Sequence, residues 1–218
     1  INDAGTMRVS TVQTLAAYLD DEITAMPNLV TVGAGGTAST VAGIPFFSAD
    51  NSIYTHDVSG TDDTAQHNAA YGIGAMDAIT TGDQNSALGY NALSANNTGA
   101  QNTAMGRLSL EANTSGDNNT AYGSSTLSAN STADDNTAIG KGSMQSNTTG
   151  AANTAVGKDS LKANTTGTRN LAIGYQAYTA SDTENDNLAI GYQAMTTNTA
   201  GGTQNVAIGN YALDALTS

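Results

Sequence analysis

Asparagine recurs at Asn85, Asn102, Asn119, Asn136, Asn153, Asn170 and Asn187 at intervals of 17 residues, and Asn205 follows after 18. A glycine stands four residues after each: Gly89, Gly106, Gly123, Gly140, Gly157, Gly174, Gly191 and Gly209. One interval earlier lie Asn68 and Gly72, and before them Asn51, where the pattern has degenerated to Asn51-Ser52-Ile53-Tyr54-Thr55. A short fixed period constrains a chain more than its composition does, because each unit can bury its apolar side only against its neighbours.

Each unit reads Asn-x-Ala-apolar-Gly, then a small residue before Leu or Met, then Asn/Thr-rich residues and often a second Gly. The first apolar column holds Leu88, Met105, Tyr122, Ile139, Val156, Ile173, Ile190 and Ile208. The second holds Leu93, Leu110, Leu127, Met144, Leu161, Tyr178, Met195 and Leu213. No amphipathic stretch of helical length fits inside a unit, and short strand signals alternate with turn residues. The expected architecture is therefore all-β, a parallel β-roll or solenoid with one coil per repeat. At about 4.8 Å per coil the array would be roughly 40 Å long. The Gly column calls for a turn with positive φ or for close approach of the next coil. The Asn column suits either a turn or a ladder of side-chain amides between coils.

Such a coil offers one large aliphatic side chain, one Leu or Met, and two or three Ala. That is little burial, at about 25 cal/mol per Å², against about 1 to 2 kcal/mol of backbone entropy for each ordered residue. Three identical solenoids side by side would bury one ladder within each chain and the other between chains, so a homotrimer is expected.

The chain divides into an N-terminal helix and adaptor segment (1–32), a Gly-rich connector with the degenerate first repeat (33–67), and the repeat array (68–218). In the first segment Val12, Leu15, Ala16, Leu19, Ile23 and Met26 follow helical spacing. Ser10 or Thr11 is available as N-cap and Pro27 closes the element. Its apolar stripe would pack around a trimer axis. Asp20, Asp21 and Glu22 fall on its solvated face.

Composition excludes several chemistries. There is no Cys, and His56 and His67 are the only imidazoles, so disulfide frameworks, thiolate zinc sites and multi-histidine centres are not expected. Six basic residues against 19 acidic ones give a surface that repels nucleic acid and anionic lipid. Apolar runs such as Ile44 to Phe47 are too short to span a bilayer, so no membrane insertion is expected. No phosphate-binding glycine loop or nucleophile elbow is present, and no enzymatic activity is expected. The carboxylate clusters are Asp62-Asp63, Asp134-Asp135 and Asp182-x-Glu184-x-Asp186. They read as solvated loop acids, with Ca²⁺ as the alternative and no other cofactor expected.

Asn-x-Thr/Ser sequons recur at Asn96, Asn113, Asn130, Asn147 and Asn164, again 17 apart. They read as polar turn residues, or as a glycan row if the chain were secreted by a eukaryote. After the Gly column come Tyr90, Tyr175, Tyr192 and, one place off, Tyr211. Tyr175-Gln176 and Tyr192-Gln193 fall on consecutive coils, and exposed aromatics beside amides suit glycan contact. The same column also holds Arg107, Ser124, Lys141 and Lys158, which marks it as a solvent-facing column.

The Asn-x-Ala-Ile-Gly unit at 136–140, 170–174, 187–191 and 205–209 resembles the head repeats of trimeric autotransporter adhesins, which form left-handed parallel β-rolls. The longer form at 153–167 looks more like the version in bacteriophage tail-fibre proteins, and the stretch from Ser10 to Gly33 resembles segments of such phage structural proteins. The resemblance implies a structural, homotrimeric tail-fibre or spike segment located on a virion, hence extracellular. Its N-terminal end would meet other virion tail proteins, and the fibre would contribute to recognition of a host-surface glycan or protein. The ending from Leu213 to Ser218 holds no capping element, so a further C-terminal segment is expected. The alternatives are the head of a bacterial trimeric surface adhesin and an ice-binding β-roll. The last arises because Asn-x-Val-x-Gly units resemble those of a grass antifreeze family, and Thr98, Ser115, Thr132, Thr149, Thr166 and Thr183 form a row.

Overall fold

The computed structural model describes residues 64–180, 182–197 and 202–214 in full, and the strand backbone of residues 39–41, 44–49 and 52–54. The helix expected in segment 1–32 and the pair Asp62-Asp63 lie outside the described residues. The chain forms two compact units, Ile1–Phe46 and Phe47–Ser218. In the first, β1 (Ser39–Val41) runs antiparallel to the start of β2 (Ile44–Ala49), with Val41 opposite Ile44.

In the second unit Phe47 to Ala49 pairs antiparallel with β3 (Ser52–Tyr54). The degenerate repeat at Asn51 supplies β3, which pairs in parallel with β4 (Ala69–Tyr71). One strand per repeat follows: β5 (Ser86–Leu88), β6 (Thr103–Met105), β7 (Thr120–Tyr122), β8 (Thr137–Ile139), β9 (Thr154–Val156), β10 (Leu171–Ile173), β11 (Leu188–Ile190) and β12 (Val206–Ile208). Each is parallel to the next, and repeat positions fall in register, as Ala121 opposite Ala138 and Ala138 opposite Ala155. The extra residue before Asn205 does not disturb this order, because β11 still sets Ala189 opposite Ala207. The fold is an all-β parallel β-solenoid with coils of about 17 residues, and no helix occurs among the described residues. None there is long and apolar enough to cross a membrane.

Three residues suffice for each strand because the pleat sends them out, in and out again. In β8 the central Ala138 is fully buried while Ile139 is 41% exposed. A small side chain is required inside, since the opposite wall of a 17-residue coil is close. That wall is the Leu/Met column: Leu93, Leu110, Leu127, Met144, Leu161, Tyr178 and Met195 are all fully buried. The two apolar columns of the sequence therefore have opposite fates. The second, from Leu93 to Met195, is the core of the chain, with Leu213 of the last coil left exposed, and the first lies on the outer face of the sheet.

A coil closes on itself through left-handed residues. The Leu/Met column has positive φ, as at Leu127 (φ 49), and so do the column before each Asn (Asp135, φ 60) and the column two before the buried Leu (Ser125, φ 55). For a residue with a Cβ this conformation costs roughly 1 kcal/mol or more, which the stacking of identical coils must offset. Only the Gly column has no substitute. Gly106 has φ +139, and a Cβ there would lie 2.4 Å from the carbonyl oxygen of Gly123 in the next coil. Backbone hydrogen bonds join coil to coil well beyond the strands, as from Gly106 N–H to Leu88 O (2.8 Å) and Leu127 N–H to Ser143 O (3.1 Å).

Candidate functional site

The recurring asparagines face inward and are spent on the fold. Asn136 donates from Nδ2 to Gly150 O (2.9 Å), and its Oδ1 accepts the backbone N–H of Asn153 one coil on (3.0 Å). The same pair of bonds links Asn85, Asn102, Asn119, Asn153 and Asn170 to their neighbours. Asn187 and Asn205 extend the ladder, with Asn205 N–H donating to Asn187 Oδ1 (2.9 Å). Each amide thus ties a turn of its own coil to the next coil, at positions that are almost fully buried from Asn85 to Asn187.

The sequon asparagines form a second ladder that sequence reasoning placed in a loop. Asn96, Asn113, Asn130, Asn147 and Asn164 are fully buried. Asn130 Nδ2 donates to Asn113 Oδ1 (2.8 Å) and to Ala133 O (3.1 Å), and Asn147 repeats the pattern on Asn130. An amide with both donors used and no exposure cannot carry a glycan in the closed coil. The signal available in the sequence was the unbroken run of five identical residues in a region where neighbouring columns vary.

Where the series ends, Ser181 replaces Asn, Glu184 replaces the small residue of its column and Tyr178 replaces Leu. Tyr178 is fully buried, and its hydroxyl accepts from Asn187 Nδ2 (2.7 Å). Glu184 is 4% exposed and its Oε2 accepts the N–H groups of Asp182 and Thr183 (2.9 and 3.1 Å). The larger side chains take over the bonding that the amide ladder performs elsewhere.

This assigns most of the acidic cluster. Asp182 accepts the hydroxyl of Thr165, and Asp186 is held by Arg169 in a two-pronged ion pair (2.6 and 2.8 Å). The guanidinium bond holds the Asp186 carboxyl below, and the Arg169 guanidinium above, their ordinary values. Asp134 Oδ1 accepts the N–H of Asp117 (2.8 Å), while Asp135 is exposed. Among the described residues no three His, Cys, Asp or Glu side chains gather as a metal cluster.

The proposed glycan contacts come together on the outer surface. Tyr175 and Tyr192 stack at 5.4 Å between centroids with an interplanar angle of 11°, and Tyr211 meets Tyr192 edge-on at 5.3 Å. Gln193 Nε2 donates to Gln176 Oε1 (2.8 Å). The Lys158 ammonium sits 5.3 Å from the Tyr175 ring centre. The row therefore turns its ring faces on one another and on Lys158, and offers solvent mainly ring edges, hydroxyls and amides. Tyr211 lies above its ordinary phenol value, through desolvation first and then the neighbouring Tyr192.

The outer sheet face is the largest feature left. Tyr71, Leu88, Tyr122, Ile139, Ile173 and Ile208 are exposed along it, Tyr122 by 58%. With the column two residues before it, Thr in β6 to β9 and Leu, Leu and Val in β10 to β12, it forms a strip about 40 Å long and about 15 Å wide. That area is at the upper end of what soluble monomers leave uncovered. In the turn segment of each coil, Thr98, Ser115, Thr132, Thr149, Thr166 and Thr183 are all exposed, with Thr81 at the head of the row. The chain matches no family model, no curated protein and no solved structure.

Proposed function

We propose that the chain is the repeat-bearing segment of a homotrimeric fibre or spike of the bacteriophage type, whose coils set length and rigidity. The observation that carries the trimer is the apolar column on the outer sheet face, exposed at Tyr71, Leu88, Tyr122, Ile139, Ile173 and Ile208 and partly exposed at Met105, Val156 and Ile190. A side chain buried inside the coil would have reinforced a monomer. A large apolar side chain placed outside, on every coil, serves a neighbour. The phage assignment rests on the resemblance of the 153–167 unit and of the stretch from Ser10 to Gly33. Within it, the N-terminal end joins other tail proteins, and the Tyr175, Gln176, Tyr192 and Gln193 surface contributes polar contacts to a host glycan or protein.

Native molar mass by light scattering, with and without EDTA, tests this reading. A trimer indifferent to chelation is expected. A folded monomer at all concentrations overturns it, and a trimer lost in EDTA assigns Ca²⁺ a place between the chains. The ice-binding reading has one observation in its favour, the exposed threonine row at coil spacing. The neighbouring column is fixed, since Thr114 and Thr148 donate to the carbonyls of Ser131 and Thr165 (3.0 and 2.9 Å). A thermal-hysteresis measurement at high concentration decides it, and no depression of the freezing point removes it.

A further inference from the structure

The outer sheet face is bordered by two charged rims of opposite sign. Along one rim, just beyond the Gly column, stand Arg107, Lys141 and Lys158, half of all the basic residues in the chain. Along the other, just before each strand, stand Asp83, Asp117 and Asp134. Each of these carboxylates uses Oδ1 to cap the preceding coil, on Gln66, Ala100 and Asp117 N–H (2.7 to 2.8 Å). None of the three forms an ion pair among the described residues, and neither do Arg107 and Lys141. Lys158 reaches Asp159 at 3.6 Å but shares it with the closer Lys162 at 3.0 Å.

The spacing along the two rims is the same. Arg107, Lys141 and Lys158 follow Asp83, Asp117 and Asp134 by 24 residues each. At this offset the neutral members also correspond: Ser124 meets Ala100, Tyr175 meets Ala151, and Tyr192 meets Thr168. The adjacent registers do worse. An offset of 7 residues back pairs only Lys141 with an acid of this column, 41 back pairs only Lys158, and 10 forward pairs only Arg107 while setting Lys158 beside Thr168 and Arg169. The two rims are separated by the width of the sheet face, so they meet only between molecules.

We infer that neighbouring copies of this chain associate in parallel, basic rim against acidic rim, in the single register that pairs Arg107 with Asp83, Lys141 with Asp117 and Lys158 with Asp134. This rests on the homotrimer reading and adds the orientation and the register. An offset of 24 residues in a 17-residue coil corresponds to about 7 Å along the axis. Across a face about 20 Å wide, a closed three-fold ring takes up that offset by inclining its coils about 20° to the axis. The apolar strip would supply burial in any register; the rims select one, which is the usual role of charges at an interface.

The test uses the full chain, cross-linked with a carbodiimide that joins amines to carboxylates without a spacer, after mixing ¹⁴N- and ¹⁵N-labelled copies. Mixed-isotope peptides joining Lys141 to Asp117 and Lys158 to Asp134 are expected. Mixed links from Lys141 to Asp134, or from Lys158 to Asp117, overturn the register. In parallel, D83N/D117N/D134N removes the acidic rim but keeps the caps, since Asn185 in this column accepts Thr168 N–H in the same way (2.7 Å). It should weaken self-association at low salt at least threefold, R107Q/K141Q/K158Q should do the same, and the two combined should be no worse than either. A trimer unaffected by all three variants overturns the rim pairing and leaves the trimer standing. A monomer at every concentration overturns both.

Discussion

Removing one rung of the buried amide ladder isolates what holds the coils together. In Asn136→Ala the backbone N–H of Asn153 loses its acceptor Oδ1, and Gly150 O loses the Nδ2 donor at 2.9 Å. Gly150 O retains Asn147 Nδ2 (2.9 Å), so it is weakened and not orphaned. The Asn153 N–H is orphaned, in a core where Asn136 and Asn153 are both fully buried. An unsatisfied buried donor costs about 1 to 3 kcal/mol, and each further bond lost about 1 kcal/mol net. The amide contacts to Asn119 and Asn153 (3.2 Å each) are too long to add much. The expected loss is about 2 to 4 kcal/mol, read from urea unfolding followed by far-ultraviolet circular dichroism. Asn136→Asp should be at least as damaging, because it turns a carboxylate oxygen toward Gly150 O. Thr149→Ala, at an exposed hydroxyl, should stay within about 0.5 kcal/mol. If Asn136→Ala matched Thr149→Ala, with hydrogen exchange at Asn153 unchanged, the ladder would not be a source of stability.

Three further outcomes follow from the geometry. Gly106→Ala should abolish folding of its coil while Gly116→Ala is milder, since only Gly106 combines positive φ with the backbone clash and Ala133 already occupies the column of Gly116; comparative thermal melts check it. The Asp186 carboxyl, held low by Arg169, should titrate below the ordinary aspartate range in carbon-detected NMR, and Arg169→Ala should return it toward that range. A group with a depressed folded value stabilises above its unfolded value and loses that contribution as pH falls through the folded one, so this exposed pair makes its small contribution at neutral pH and loses it in acid. Expressed through a eukaryotic secretory pathway, the folded fraction should carry no glycan at Asn96, Asn113, Asn130, Asn147 or Asn164, which intact mass measures.

The period was legible because a solenoid leaves little freedom in it: an Asn or Gly out of step with its coil would break bonds on both sides, and the one 18-residue interval, before Asn205, keeps both columns in step. Which apolar column faces inward was not, since Ile139 and Met144 are equally apolar and only the pleat of a three-residue strand separates them. The buried sequon ladder escaped because Asn-Thr-Thr-Gly is also good turn chemistry, and local propensity cannot distinguish an amide pointing in from one pointing out. The left-handed conformation of Leu127 and its equivalents had no sequence signal at all, because it is imposed by closure and not by preference. The Tyr175 and Tyr192 pair was visible as a spacing, whereas the orientation of the rings depends on Lys158 and Tyr211 at the two ends of the row.

Coil-by-coil bonding also governs how such a gene can change. A duplication or deletion of 51 nucleotides, one 17-residue unit, re-forms every backbone and amide bond across the joint and alters only the length of the rod by about 4.8 Å. A change of several residues that is not a whole unit puts both amide columns out of step, whereas the single extra residue before Asn205 is absorbed between the columns, with Asn205 N–H still on Asn187 Oδ1. Tandem units that share their Asn, Ala and Gly positions can be gained or lost in just these whole steps, so the rod can lengthen or shorten without passing through an unfolded intermediate sequence.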